Sequence, residues 1–267
     1  MCKMNSIIEF NRKTLSEVKQ WIRREDWEIP PTLFNYGLPS YVFHLIDKPI
    51  SNDLTEADLI CQLFTENTNY LEIGVSVGKT FYQIIKYAKA NIKNWSISCI
   101  DIEKINPILR ELFNKEFGQL TITEYESNTN SAYNSIRKEP SIYVYEWNQI
   151  KYYESDEFDL NIWTHMAKQY NLIFSDALHE PHALIQEYTQ LKEHNLLDRN
   201  GFVYCFDDLE ADEESGKMWK AVKFIYDDIC KFYPNLTITL NHNIVNGWLG
   251  QHESPHHFGI IKCVDSS

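Results

Sequence analysis

Two stretches of the chain gather residue types that do chemistry, at spacings chemistry can use. The first is Leu71-Glu72-Ile73-Gly74-Val75-Ser76-Val77-Gly78-Lys79-Thr80. Glycines there let the backbone turn tightly and let a ligand approach it closely. Further on, Asp101 stands in Cys99-Ile100-Asp101-Ile102-Glu103. A carboxylate at that place can accept two hydrogen bonds from a vicinal diol such as a ribose, and Glu103 is the fallback. The second stretch is split between Phe174-Ser175-Asp176-Ala177-Leu178-His179-Glu180 and Phe206-Asp207-Asp208-Leu209-Glu210. Asp176, Asp207 and Asp208, if brought together, would repel one another without a cation. With water they suit Mg²⁺ or another oxygen-preferring ion. His179, with an ordinary pKa of about 6.5, is suited to take a proton near neutrality; its plain alternative is to cap or pack on the following helix.

The glycine loop has rival readings. Gly78-Lys79-Thr80 completes the end of a phosphate-binding G-x-x-x-x-G-K-[ST] loop, but its first glycine would fall at Ile73. The dinucleotide fingerprint G-x-G-x-x-G needs glycine at 76, where the chain has Ser76. The plain alternative is a strand–helix junction that is only a tight turn. Elsewhere, His179-Glu180-Pro181-His182 lacks the spacing of a zinc-binding H-E-x-x-H helix, and its proline breaks the turn. His252, His256 and His257 have no cysteine or acid at ligand spacing and are expected in a polar turn before the last strand. Tyr143, Tyr145, Trp147, Tyr152 and Tyr153 can wall a pocket or pack a hairpin.

These residues need strand ends to hold them. Apolar runs predict strands at 70–75, 96–102, 120–125, 170–176, 201–208, 236–240 and 258–264. Helical periods predict helices at 80–92, 107–117, from about 181, and 216–232. Strands that are apolar throughout and alternate with helices indicate an α/β fold with a mostly parallel sheet covered on both faces. Two regions escape the alternation. Residues 1–60 are expected to form a helical extension, and the polar, tyrosine-rich 128–168 an insertion between the third and fourth strands. Both are expected to cover the crevice.

The 267 residues are 43% hydrophobic and 14% aromatic, enough for a large core, and the net charge of −13 opposes tight binding to a nucleic-acid backbone. No apolar run approaches a membrane span. The N-terminal segment lacks a signal-peptide core. Six scattered cysteines without a C-x-x-C pair imply reduced thiols and a cytoplasmic setting.

Glu72-x-Gly74-x-x-x-Gly78 resembles motif I of the class I methyltransferases that use S-adenosylmethionine (SAM), with Asp101 as the ribose acid. YNLIFSDALHEPHALIQEYTQL together with GFVYCFDDL resembles the group of O-methyltransferases that includes the macrocin and cephalosporin-hydroxylase-like families. The resemblance spans about 70–265. It implies a Rossmann-like, seven-stranded sheet and a methyltransferase domain over 61–267. It also implies SAM held by Glu72, Gly74, Ser76, Gly78, Asp101, Ser127 and Asp176, with Ser127 near the adenine. Asp176, Asp207 and Asp208 would hold Mg²⁺. The family's second acid in the Asp-Gly-Asp-His pattern is Leu178 here, which passes the role of base to His179. The implied reaction is methyl transfer to a hydroxyl, or else an amine, of a small molecule. The alternatives are a module that binds SAM or its product S-adenosylhomocysteine (SAH) without transferase activity, and a nucleotide-binding protein. A homo-oligomer is a further expectation.

Overall fold

The computed structural model describes residues 2–17, 53–76, 78–127, 141–166, 168–246 and 255–265. Strand β1 (Asn67–Ile73) occupies the middle of a nine-stranded sheet. The others are β2 (Asn94–Asp101), β3 (Thr121–Glu126), β4 (Ser141–Trp147), β5 (Ile150–Glu154), β6 (Leu172–Ser175), β7 (Phe202–Leu209), β8 (Leu236–Val245) and β9 (His256–Asp265). Their order is β3-β4-β5-β2-β1-β6-β7-β9-β8. The central five, β5-β2-β1-β6-β7, are parallel, while β4 and β9 run antiparallel to both of their neighbours. The helices are α1 (Cys2–Ser16), α2 (Glu56–Leu63), α3 (Lys79–Asn91), α4 (Pro107–Phe117), α5 (Leu160–Thr164), α6 (Pro181–Glu193) and α7 (Lys217–Phe232).

Side chains alternate across a strand, and the two faces of the sheet carry separate cores. Tyr70, Cys99, Phe174, Cys205 and Phe258 pack beneath α1–α4. Leu71, Ile73, Ile173, Tyr204 and Phe206 pack beneath α5–α7. The buried cysteines 99, 205 and 263 serve as small core residues, and Cys61, Cys99, Cys205, Cys230 and Cys263 are free thiols.

The predicted α/β architecture is present, with nine strands in place of seven. The additional two come from 141–154, within the segment that showed no sheet pattern. Its aromatics pack a hairpin: Trp147, Tyr152 and Tyr153 are buried, and Trp147 meets Phe113 edge to face at 5.3 Å. Consequently β5, and not the predicted third strand, lies beside β2. The 120–125 run became β3, at the outer edge of the sheet. The boundary expected at residue 60 falls inside α2. Expectations for 18–52, for 128–140 and for His252 lie outside the described residues. No described helix is long and apolar enough to cross a membrane.

Helix α1 is fastened to α2 through one buried acid. Asp58 accepts from Arg12 Nη1 (3.2 Å) and Nη2 (2.6 Å) and from Asn11 Nδ2 (2.8 Å). It also accepts from Thr55 N and Oγ1, both at 2.9 Å, which caps the start of α2. The Asn246 N–H donates to Leu54 O (2.8 Å), so the same point is tied to the end of β8. Glu56, the first residue of α2, is thereby held over the carboxyl end of the sheet.

Candidate functional site

Strand order reverses between β1 and β6: β2 and β5 lie to one side, β6 and β7 to the other. In open parallel sheets the crevice beyond the carboxyl ends at this point is where ligands bind. Glu72, Gly74, Asp101, Asp176 and Asp207 all stand at or just past those ends.

The loop after β1 is built on positive-φ backbone: Gly74 (86°), Ser76 (54°) and Gly78 (87°). Gly74 N–H donates to Ile100 O (2.9 Å) and Asp176 N–H to Ile73 O (2.7 Å). A Cβ on Gly74 would collide with the Asp176 carbonyl, and one on Gly78 with the Leu109 side chain. The sequence assigns the room left by both glycines to a ligand. The structure corrects this, because the chain itself fills those spaces.

Asp101 is likewise engaged by the protein. Its Oδ2 accepts the N–H groups of Val75 (2.6 Å) and Ser76 (2.8 Å), and its Oδ1 accepts that of Glu103 (2.7 Å). Both carboxylate oxygens therefore hold the loop in shape, and a ribose diol would meet an acid already bonded to three amides. Ser76 belongs to the loop through this bond. Ser127 follows β3 and donates to Asp159 Oδ2 (2.6 Å). Because β5 took the place beside β2, the position expected for Glu126-Ser127 is held by Ser155 and Asp156. Ser155 N–H donates to Asp101 O (2.9 Å). The Glu154-Ser155-Asp156 run was visible in the sequence, but it was assigned to the insertion.

Glu72 is buried and accepts from Tyr70 Oη (2.7 Å). Burial pushes its pKa well above the ordinary carboxylate value, and the Tyr70 bond only partly opposes this. Asp176 is pushed up to about 7, by burial first and then by the charges of Asp207 and Asp208, against the pull of His179.

His179 joins two of the predicted aspartates. Its Nε2 lies 3.2 Å from Asp176 Oδ1 and its Nδ1 2.8 Å from Asp208 Oδ2. Burial disfavours the imidazolium, but the bonds to Asp176 and Asp208 outweigh it and raise the His179 pKa well above its usual value. With Nε2 on Asp176 and Nδ1 on Asp208, both ring nitrogens are engaged by carboxylates, which places His179 to position Asp176.

Between Phe206 and Leu209 the β7–β9 register slips at a bulge, where Asp208 takes φ 50°. Bulges re-aim side chains, and both Asp207 and Asp208 reach the imidazole of His256. His256 Nδ1 is 3.0 Å from Asp208 Oδ1, 3.6 Å from Asp207 Oδ2 and 3.7 Å from Glu56 Oε1. The two imidazoles hold the Asp208 pKa down despite the opposing effect of burial.

The Mg²⁺ set implied by the resemblance does not fit this arrangement. The three aspartates converge, since Asp176 and Asp207 continue the Ser175–Phe206 pair of adjacent strands. Yet Asp176 and Asp208 are each bonded to His179, and among the described residues only Asp207 of the three belongs to a group with metal-ligand spacing. That group is Glu56, Asp207 and His256, whose donor atoms all lie within 4.8 Å of one another. The sequence missed Glu56 and assigned His256 to a turn. Its period-2 alternation with the core residues Phe258 and Ile260 was the available signal.

A SAM-like ligand does fit the chemistry of the crevice. Glu72 and Asp176 are carboxyls that burial drives toward the neutral form, and a cationic ligand would favour their ionised form.

No family model matches the chain, and no curated protein matches it. Solved structures do. An SAH-bound methyltransferase from Podospora anserina is 13% identical, covering 79% of this chain and 78% of its own, at a TM-score of 0.44. Aeropyrum pernix fibrillarin with bound S-adenosyl-L-methionine is 14% identical over 78% of this chain and 73% of its own, at 0.43. A Burkholderia thailandensis 1,6-didemethyltoxoflavin-N1-methyltransferase is 8% identical over 78% and 76%, at 0.44. At these values the likeness carries no weight by itself, and the fold rests on the strand order and register above.

Proposed function

We propose that this protein binds SAM in the crevice between β1 and β6 and transfers its methyl group to a hydroxyl, or else an amine, of a small molecule. The observation that carries this reading is the meeting of Glu72, the Gly74–Gly78 loop, Asp101 and Asp176 where the strand order reverses. SAM, when bound, supplies a methyl group activated by a sulfonium. Glu72 would face the ligand's ammonium, and the loop fixed by Asp101 would set its position. Asp176, with a pKa pushed to about 7, is suited to take the acceptor's proton at neutral pH. His179 holds one Asp176 oxygen and is itself held by Asp208, leaving the other oxygen of Asp176 for the acceptor. The chain otherwise aligns the nucleophile and strips water from it. The net charge of −13 favours a small acceptor over a nucleic acid.

Calorimetric titration with SAM, SAH, ATP and NAD tests the cofactor. SAH and SAM are expected to bind, and ATP and NAD are not. Absence of binding at millimolar SAM and SAH would overturn the proposal. A second reading, a SAM-binding or SAH-binding module without transferase activity, is favoured by Leu178 and by the locked His179. Incubating metabolite extracts with methyl-labelled SAM separates the two, since only a transferase labels an acceptor.

A further inference from the structure

Glu56 is an anomaly in the packing. It is fully buried, and neither of its carboxylate oxygens meets a hydrogen-bond donor. Asp207, 4% exposed, leaves its Oδ1 unpartnered as well. Buried carboxylate oxygens are ordinarily satisfied, because taking them out of water without a partner costs several kcal/mol. Unsatisfied oxygens on two buried carboxylates, each with an oxygen within 3.7 Å of one imidazole nitrogen, call for a ligand that accepts electron pairs.

The geometry suits a metal ion. Donors bound at about 2.1 Å to one ion lie roughly 3.0–3.4 Å apart, from cis-octahedral to tetrahedral arrangements. His256 Nδ1 stands 3.6 Å from Asp207 Oδ2 and 3.7 Å from Glu56 Oε1, so small side-chain movements close the set, with the ion taking the place of the 3.0 Å contact from His256 Nδ1 to Asp208 Oδ1 and of any proton shared there. The three donors come from the first residue of α2, the bulge of β7 and the first residue of β9. Each is held by its own element: α2 by the Asp58 cap and the Asn246–Leu54 bond, the other two by the sheet. One imidazole with two carboxylates favours borderline Zn²⁺ over Mg²⁺, for which an all-oxygen shell is the usual choice; Mn²⁺, harder than Zn²⁺ but higher than Mg²⁺ in its affinity for nitrogen donors, serves as a paramagnetic probe.

We propose that Glu56, Asp207 and His256 bind one divalent transition-metal ion, clamping α2 across the carboxyl ends of β7 and β9. This site differs in its ligands from the three-aspartate set, and it holds whether or not the chain transfers methyl groups.

The test uses the full chain, stripped with chelator and free of SAM. Titration with Mn²⁺ or Zn²⁺ is expected to give one ion per chain and a higher melting temperature, with Mg²⁺ binding more weakly. Glu56→Gln and His256→Gln should each weaken binding by roughly 100-fold or more, whereas Asp176→Asn, which removes a nearby charge but no ligand, should weaken it by less than about 10-fold. Pulsed electron paramagnetic resonance of the Mn²⁺-loaded wild type should show nitrogen coupling from a bound imidazole, a readout that needs no variant to fold. The proposal is overturned if the wild type takes up no ion, as when Glu56 and Asp207 merely share a proton. It is equally overturned if Mn²⁺ binds without nitrogen coupling, or if Asp176→Asn abolishes binding while Glu56→Gln does not.

Discussion

Replacing Asp101 with asparagine separates two roles that a ribose-binding acid and a loop-holding acid would otherwise confound. The carboxylate accepts three backbone N–H groups, those of Val75, Ser76 and Glu103, at 2.6–2.8 Å. Hydrogen bonds to a charged acceptor contribute about 1.5–3 kcal/mol each. Asparagine keeps one oxygen. Whichever way the amide turns, its NH₂ then faces at least one of these N–H groups, and the bonds that remain lose their charge assistance. If the oxygen stays with Val75 and Ser76, one bond is lost and two are weakened; if it turns to Glu103, two are lost. The expected loss of stability is therefore about 2–5 kcal/mol in the absence of any ligand. Urea denaturation of the ligand-free variant, alongside SAH titration, measures both roles. A variant as stable as the wild type but deficient in SAH binding would refute the reasoning, since Asp101 would then act only on the ligand.

Two further outcomes follow from the same geometry. Gly74→Ala places a methyl group on the Asp176 carbonyl at a backbone φ of 86°, so it should destabilise the ligand-free protein by more than about 2 kcal/mol; an unchanged urea midpoint would contradict the β1–β6 contact. Glu187 is buried beneath β6 and β7, accepts from Ser175 Oγ (2.6 Å), and has its pKa raised from 4.5 to about 7, chiefly by burial. With the folded value above the unfolded one, stability is full below pH 4.5 and falls as pH rises toward 7. Glu187→Gln should therefore gain on the wild type by up to about 3 kcal/mol between pH 4.5 and pH 8, since each tenfold change in proton affinity is worth about 1.4 kcal/mol. A stability difference that does not vary with pH in denaturation series would discount it.

Much of the sheet was legible because its central strands are apolar on both faces, and an uninterrupted run such as Leu172-Ile173-Phe174 reads plainly. Strands β4 and β5 were not legible. Polar Glu146, Lys151 and Glu154 interrupt them, and their aromatics carry the burial instead. Misplacing the third parallel strand then misplaced Ser127. The acids at the strand ends were found from type and position alone, but their engagements were not. Whether Asp101 faces a ribose or three amides depends on loop amide directions, and these follow from the positive φ angles at 74, 76 and 78. Glu56 lies far in sequence from its neighbours Asp207 and His256, and nothing local marks it. The charge of His179 is set by two partners on different strand ends, which spacing along the chain does not reveal.

The position of β9 sets the order in which a growing chain could complete this molecule. It is the latest strand in the sequence, yet it lies between β7 and β8. Until it emerges from the ribosome, β7 offers a bare row of backbone groups, and β8 has no neighbour in the sheet. Nascent chains would thus carry an open, apolar strand edge from the completion of β7 until β9 is added, the kind of edge that pairs with other chains. The same late strand delivers His256, so the acids Glu56, Asp207 and Asp208 would remain without that counter-charge until translation reaches it. Slow or interrupted synthesis upstream of β9 should therefore favour aggregation over partial function, and a transient chaperone partner would find its target along the unpaired edge of β7.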